Sequence, residues 1–250
     1  MNIVLKVGYN GNGYNGFQRQ KNTDNTIEHI LEQSIMKVVE EPLTIIGASR
    51  TDSGVHAQGQ MIQFRTRKKI PYEKYVPILN DLLPETIRIY ESYFVPDDFH
   101  VRYQVLKKKY LYRIDINKVP NVFVLPFTYH FSQSLDIEKM TKAFKTIEGE
   151  HNFRAFCATG SSVKTHVRQI FEAVLFEDNN IITLSITGNG FLYNMIRIIA
   201  GTLVDIGRGF LKEDVFLKSF NTLRRETLGK TAPSKGLVLQ EIIYEKGVLS

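Results

Sequence analysis

The stretch LTIIGASRTDSGVHAQGQMIQFRT, residues 43–66, decides how this chain folds. It reads as two strands, Leu43–Ser49 and Gln60–Thr66, separated by a segment rich in glycine. The second strand alternates apolar with polar side chains, as a half-buried strand does. Two strands in direct succession do not fit the strict alternation of strand and helix that a parallel sheet requires. The sequence therefore favours a mainly antiparallel arrangement.

The segments around this pair complete a recognisable order. They are predicted to be a strand and a helix before it, Asn2–Tyr9 and Thr26–Val39, and a helix and a strand after it, Tyr72–Leu83 and Thr86–Phe94. A capping-type pair, Asn25 and Glu28, marks the start of the first helix, and Pro84 ends the second. The order strand–helix–strand–strand–helix–strand is that of a ferredoxin-like fold.

The second half of the chain repeats this order. Strands are predicted at Lys108–Ile116, Arg168–Phe176, Ile181–Thr187 and Gly236–Tyr244, and helices at Asp136–Ile147, Phe191–Ile206 and Glu213–Leu223. The turn residues Asp178-Asn179-Asn180 join the two middle strands into a hairpin. We therefore predict an α+β fold of two tandem ferredoxin-like (βαββαβ) halves, residues 1–104 and 105–250, whose antiparallel sheets meet at a central catalytic cleft.

Composition narrows the class of protein. The chain has 250 residues, of which 43% are hydrophobic and 23% charged, as in ordinary globular proteins. Its net charge of +6 and pI near 9.2 suggest a polyanionic partner without proving one. The single cysteine, Cys157, excludes a disulfide within the chain and a multi-cysteine metal site. Without a signal-peptide layout or a long apolar run, a cytoplasmic protein with no membrane segment is expected.

The segment Gly11–Gly16 matches the GxGxxG pattern of dinucleotide-binding proteins. That pattern binds pyrophosphate only when its third glycine opens a helix. Here Phe17–Asn22 intervenes, and the predicted helix begins only near Thr26. We therefore expect no nucleotide cofactor. A cofactor-dependent oxidoreductase that uses this loop is the alternative, and absorbance of a bound nucleotide in the purified protein would reveal it.

The turn between the first pair of strands carries the residues best suited to chemistry. Asp52 follows an apolar strand and precedes Gly54, with Arg50 and His56 close by in sequence. Each also has a structural interpretation: Asp52 in an Asx-turn, Arg50 as its partner, and His56 as a hydrogen-bonded residue at a strand start. The spacing of the histidines and aspartates matches no known set of metal ligands, so no metal is predicted.

Residues 50–57, Arg-Thr-Asp-Ser-Gly-Val-His-Ala, resemble the signature of the tRNA pseudouridine synthase A family. Other segments are also similar to that family: 9–20 (YNGNGYNGFQRQ), 80–84 (NDLLP), 99–102 (FHVR), 109–112 (KYLY), 189–197 (NGFLYNMIR) and 232–239 (APSKGLVL). Departures are Ser53 where alanine is frequent, Glu28 where glutamine often stands, and Phe17 where tryptophan or tyrosine is common. The resemblance extends over nearly the whole chain, and none of these departures falls on a predicted catalytic residue.

This resemblance implies an isomerase that detaches uracil from ribose at N1 and reattaches it through C5, with no cofactor. It implies three catalytic residues. Asp52 is the nucleophile, on the base or on the sugar carbon; Tyr110 stacks on the uracil and is a candidate to remove the C5 proton; Arg197 pairs with the aspartate. Arg50 would take the space of the flipped nucleotide, and Leu237 or Leu239 would form the apolar floor of the pocket.

The resemblance also implies a substrate and an assembly. The substrate would be tRNA, modified at uridines 38, 39 and 40 of the anticodon arm, and the protein would be a homodimer. Two basic runs, Lys107-Lys108-Lys109 and Arg65-x-Arg67-Lys68-Lys69, are candidate phosphate contacts, although charge runs are often only solvated.

A non-catalytic tRNA-binding or tRNA-folding protein on the same scaffold is the alternative. Retention of Asp52, Tyr110 and Arg197 together argues against it.

Overall fold

The structure, a computed structural model, describes residues 1–160 and 163–249. Its strands are β1 (Asn2–Tyr9), β2 (Ile46–Gly47), β3 (His56–Arg65), β4 (Ile87–Phe94), β5 (Lys107–Asp115), β6 (Tyr129–His130), β7 (Gly149–Asn152), β8 (Val167–Asp178), β9 (Ile181–Gly188) and β10 (Leu237–Ile243). Its α-helices are α1 (Ile27–Val39), α2 (Tyr75–Leu82), α3 (Ile137–Lys145), α4 (Met195–Gly207) and α5 (Val215–Thr222). The chain is α+β with mostly antiparallel strand pairs, as predicted.

The chain divides into two compact units. The first unit contains Met1–Lys108 together with the segment from Val238 onward, and the second contains Lys109–Leu237. The last strand, β10, therefore contributes most of its residues to the unit that holds the N-terminus. Among the described residues, no helix combines the length and apolarity that a membrane crossing would need.

The first unit is a sheet with helices α1 and α2. In the sheet β1 lies between β4 and β3 and is antiparallel to both, while β2 pairs with β3 in antiparallel register. The strand β10 is parallel to β3, with Val238 opposite His56 and Leu239 opposite Ala57. Because β3 is paired on both sides, its start at His56 is fixed.

Helix α1 begins at Ile27, one residue later than the Thr26 start that a cap at Asn25 predicts. Thr26 is the N-cap, and its hydroxyl accepts a hydrogen bond from the backbone N–H of His29. Asn25, the predicted cap, instead donates its side-chain amide to the carbonyl of Gly13, and Glu28 accepts from the backbone N–H of Arg19. The predicted capping pair thus anchors the preceding loop and does not cap the helix.

Strand β2 is much shorter than the predicted Leu43–Ser49. The backbone N–H of Ile45 donates to the carboxylate of Glu32, a residue of α1 that is only 4% exposed. The Glu32 side chain therefore accepts from a backbone N–H that strand pairing would otherwise use, and regular pairing with β3 begins only at Ile46.

The second unit has the strand order β5-β9-β8-β7, with short β6 parallel to β5. The β8–β9 hairpin closes at Asn179 and Asn180, both with positive φ, and the flanking Asp178 and Ile181 are paired. Two consecutive residues of this conformation form the two-residue turn that suits the twist of a hairpin. The predicted hairpin is confirmed, and β6 and β7 are additional strands.

Helix α4 begins at Met195 although the periodic pattern predicts a start at Phe191. The backbone of Asn194 is left-handed, with φ of 60°, so residues 191–194 cannot continue the helix toward the N-terminus. This residue turns the chain immediately before α4, and its side-chain oxygen accepts a hydrogen bond from Arg197.

Candidate active site

Asp52 lies in a tight turn between β2 and β3. The backbone N–H of Val55 donates to the carbonyl of Asp52 at 3.1 Å, and Gly54 has a φ of 75°. Glycine adopts this left-handed conformation without a steric penalty, whereas another residue at this position of the turn would be strained. Asp52 is partly buried, whereas the neighbouring Arg50 and Ser53 are exposed.

The chain that enters this turn is held by Gln60, a fully buried residue of β3. Its side-chain oxygen accepts from the backbone N–H of Ser49 at 3.2 Å, and its amide donates to the carbonyl of Ser49 at 2.7 Å. One side chain thus satisfies both backbone groups of Ser49, where the β2–β3 ladder has already ended.

Two cations bind the carbonyls of the same segment. Arg102 donates from Nε and Nη2 to the carbonyl of Gly47, both at 3.2 Å. The ammonium of Lys108 donates to the carbonyl of Ala48 at 2.8 Å and to the hydroxyl of Ser49 at 3.2 Å. Burial, with the charge of Arg102 as a smaller cause, lowers the pKa of Lys108 to about 8.

The N-terminal loop that carries the GxGxxG pattern packs on the Asp52 turn. The hydroxyls of Tyr9 and Thr51 are 2.7 Å apart, and the backbone N–H of Gly11 donates to Nδ1 of His56 at 3.1 Å. A Cβ at Gly11 would lie 2.0 Å from the carbonyl oxygen of Val55, so only glycine permits this approach. The glycine-rich loop therefore supports a turn of its own unit.

Arg50 is exposed beside the turn and contributes to the electrostatics of Glu28 on α1. Burial raises the pKa of the Glu28 carboxyl, while its hydrogen bond from Arg19 and the charges of Arg102 and Arg50 act in the opposite direction. The side of the first unit that carries the signature is therefore rich in arginine.

In the second unit, Tyr110 and Tyr112 lie on the same face of β5 and are both buried. The ring of Tyr110 meets Phe191 edge-on, with centroids 5.2 Å apart. The hydroxyl of Tyr112 donates to the carbonyl of Pro233 at 2.8 Å, and burial raises its pKa. Pro233 belongs to the segment that leads into β10, so β5 and this segment are tied together.

Arg197 projects from the first turn of α4. Its Nε donates to the carbonyl of Ala232 at 2.8 Å, and its Nη1 donates to the side-chain oxygen of Asn194 at 2.8 Å. The backbone N–H of Ala232 in turn donates to the carbonyl of Arg197 at 3.0 Å. The guanidinium is therefore partly buried and oriented by the protein, unlike an arginine on a plain exposed surface.

The remaining predicted residues differ in exposure. Leu237 is buried in the second unit and Leu239 in the first. Lys107 is exposed, whereas Lys108 is bound to backbone as described. Of the other basic run, Arg65 donates to the carbonyl of Asp97 and Lys68 pairs with Glu40.

Residues 7–104 and 143–245 match a family model described as tRNA pseudouridine synthase. The chain belongs to the tRNA pseudouridine synthase family. It is therefore an isomerase that acts on tRNA, as its signature at residues 50–57 predicts.

Individual relatives agree over nearly their full length. The tRNA pseudouridine synthase A of Acetivibrio thermocellus is 42% identical over 243 residues, which cover 97% of this chain and 99% of the relative. That of a Thermoanaerobacter species is 41% identical with the same coverage, and that of Bacillus pumilus is 38% identical over 98% of this chain and 100% of its own.

Among solved structures, a chain of a Cbf5-Nop10-Gar1 complex matches at 12% identity with a TM-score of 0.36. The match covers 81% of this chain and 44% of that chain, so this chain spans less than half of its length. A similarity of this size does not inform the site.

Several residues that shape the site were not predicted. Gln60 is only the first residue of a predicted strand, and Asn194 and Ala232 are only parts of longer motifs. A buried glutamine opposite a break in strand pairing has no distinct sequence pattern. Gly11 and Gly16 carry the sequence signal for the close approach of the N-terminal loop, although the same glycines also match a nucleotide-binding pattern.

Proposed function

We propose that this protein converts uridine to pseudouridine at positions 38, 39 and 40 of the tRNA anticodon arm, with Asp52 as the nucleophile. The observation that carries the proposal is the turn at Asp52. The Asp52 carboxylate lies in a turn that contains Gly54. The chain that leads into this turn is held by Gln60, Arg102 and Lys108, each of which binds a backbone carbonyl of residues 47–49. A side chain that must reach one carbon atom benefits from such a rigid support.

The proposed chemistry is an internal transfer in which atoms balance. The bond from N1 of uracil to C1′ of ribose breaks, the base turns, and a bond forms between C5 and C1′. The C5 proton is lost and N1 gains a proton, so there is no net oxidation and no added group. Asp52 assists by attacking either the base or the sugar carbon, which divides one difficult step into easier ones.

We further propose that Tyr110 and Arg197 act on the same uridine. Tyr110 has the flat, edge-supported ring that stacking on a flipped base requires, and its hydroxyl is the candidate acceptor of the C5 proton. Arg197 has two donor nitrogens fixed by Ala232 and Asn194, which leaves its fork in one orientation for pairing with the Asp52 carboxylate.

Recognition of the RNA is assigned to basic groups and to an apolar floor beneath the base. Arg50 takes the position of the flipped nucleotide, and the exposed ammonium of Lys107 and that of Lys109 bind phosphate. Leu237 or Leu239, both buried, supplies the apolar floor beneath the base.

The finer architecture and setting also belong to this proposal. We assign residues 1–104 and 105–250 to two ferredoxin-like halves, supported by the order β4-β1-β3 with β2 on β3 in the first unit. We also propose that the protein is a cytoplasmic homodimer, because its substrate is tRNA and its resemblance is to a dimeric family.

Direct mapping of the product tests the proposal. The purified protein is incubated with unmodified tRNA and with a short anticodon stem-loop, and pseudouridines are located at single-nucleotide resolution. New pseudouridine at any of positions 38, 39 and 40 is the expected result. Pseudouridine confined to another arm of the tRNA would contradict the assigned target, and none at all would contradict the activity.

A further inference from the structure

We propose that the hydroxyl pair of Tyr9 and Thr51 aims Asp52, which makes these two side chains positioning residues for the reaction. This inference rests on the proposed function of Asp52 as nucleophile. It assigns a purpose to the N-terminal glycine-rich segment, whose pattern resembles a nucleotide-binding loop although no helix opens at its third glycine.

The contact between the two residues is short and buried. The two hydroxyl oxygens are 2.7 Å apart, and the residues are 5% and 7% exposed. The partners lie 42 residues apart in sequence, so the bond ties the end of β1 to the turn. Thr51 directly precedes Asp52, and a rotation of its backbone would swing the carboxylate.

Thr51 is fixed at a second point. Its carbonyl accepts a hydrogen bond from the backbone N–H of Phe17 at 3.0 Å. A Cβ on Gly16, whose φ is 89°, would lie 2.8 Å from that same carbonyl, so glycine allows the loop to approach this closely. Side chain and backbone of Thr51 are thus both held by the N-terminal loop, and its β-branched side chain has few alternative rotamers.

Tyr14, in the same loop, forms a second Tyr–Thr hydroxyl pair that serves as a matched control. The hydroxyls of Tyr14 and Thr86 are 2.6 Å apart, but this pair is exposed and Thr86 precedes β4, away in sequence from the Asp52 turn. Both Tyr→Phe substitutions remove the hydroxyl and its hydrogen bond to threonine and leave a ring in place. A general loss of loop order would affect the two variants alike, whereas an aiming role is specific to Tyr9.

The experiment compares Tyr9→Phe with Tyr14→Phe in the full-length protein. Single-turnover rates on saturating anticodon stem-loop, affinity for that RNA, and the melting temperature are measured for each. We expect Tyr9→Phe to lower the single-turnover rate about tenfold or more while RNA affinity stays within about twofold. Tyr14→Phe is expected to keep the wild-type rate.

Substitutions of the partner test the same bond from its other end. Thr51→Ser keeps the hydroxyl and should retain most of the rate, whereas the isosteric Thr51→Val should lose as much as Tyr9→Phe. The double variant Tyr9→Phe/Thr51→Val should be no slower than either single variant, because one bond can be lost only once. If Tyr9→Phe does not fold, the Thr51→Ser and Thr51→Val pair decides.

A Tyr9→Phe rate equal to wild type, an equal loss in Tyr14→Phe, or a loss confined to RNA affinity would overturn the inference. So would equal rates for Thr51→Ser and Thr51→Val. These outcomes are distinct from failure of the proposed function, because that failure would appear as wild-type protein that makes no pseudouridine.

Discussion

Arg197 and Ala232 are joined by two hydrogen bonds that run in opposite directions. The backbone N–H of Ala232 donates to the carbonyl of Arg197 at 3.0 Å, and Nε of Arg197 donates to the carbonyl of Ala232 at 2.8 Å. With Nη1 bound to Asn194, the guanidinium plane has a single orientation. Helix α4 and the segment before β10 therefore hold the Arg197 guanidinium together.

Arg197→Lys should separate charge from geometry. A lysine retains the positive charge but has a single nitrogen and no planar fork. It therefore cannot donate to Ala232 and Asn194 and also present a further nitrogen to another group, as a guanidinium can. We expect a loss in single-turnover rate of roughly 30-fold, which corresponds to about 2 kcal/mol for a charge-assisted hydrogen bond. RNA affinity should change little. Rate and affinity measured on the same stem-loop substrate give the comparison.

A double-variant cycle checks that this loss acts through Asp52. The single variants Asp52→Ala and Arg197→Ala and their combination are measured in single turnover. If the two groups work as a pair, the effects are strongly non-additive, because either loss disables the unit. Simple additivity would assign Arg197 to another task, such as binding phosphate.

Gln60→Leu should destabilise the first unit. The substitution leaves the backbone N–H and carbonyl of Ser49 without their side-chain partner in a buried place, at a cost of about 3 kcal/mol for the two groups. Gln58→Leu, at an exposed position of the same strand, is the matched control. Urea unfolding of both variants measures the difference, and equal midpoints would show that water replaces the Gln60 amide at no cost.

The buried Lys108 should make stability depend on pH. Its pKa is about 8 in the folded protein, below the ordinary 10.5, so between these values the unfolded chain binds more protons at this site. The free energy of unfolding therefore rises with pH through that window, and Lys108→Met removes the effect. Relative to that variant, the wild type should gain about 2 kcal/mol between pH 8 and 10.5.

Denaturant unfolding of the wild type and of Lys108→Met across this window measures the gain. A difference that stays constant with pH would mean that the ammonium of Lys108 is not penalised by burial.

Neutralising the two flanking lysines should weaken RNA binding without altering the chemistry of bound substrate. Lys107→Ala/Lys109→Ala leaves the structural contacts of Lys108 intact. Each true phosphate contact contributes about 0.9 to the salt slope of duplex binding, so the slope should flatten by roughly one to two units. Lys142→Ala, which removes a lysine paired with Glu138 on α3, is the control. Equal slopes for all three proteins would show that Lys107 and Lys109 do not contact phosphate.

Sequence patterns predicted the order of elements because hydrophobic periodicity survives wherever one face of a segment is buried. The α1 and β8–β9 predictions succeeded for this reason, and the latter also through its asparagine turn. The signature around Asp52 predicted the family directly.

Several differences from the sequence predictions arise where a polar side chain makes a hydrogen bond that the local pattern does not contain. Glu32 binds the backbone N–H of Ile45, so the pairing of β2 begins late, and Thr26 caps α1 in place of Asn25. Lys108 was grouped with its neighbours as a phosphate contact, yet its ammonium binds the chain before Asp52. The contacts of Glu32 and Lys108 join residues distant in sequence, and local periodicity does not contain them.

The central claim is that Asp52 is the nucleophile, and its most direct test is Asp52→Asn. The amide has nearly the same shape but is a poor nucleophile, so the fold and RNA binding should persist while turnover is lost. Release of tritium from C5-labelled uridine in tRNA measures turnover, and affinity for the same tRNA is the control. The account predicts no release above background at wild-type affinity. Turnover within about tenfold of the wild type would contradict it, since a nucleophile cannot be replaced at so small a cost.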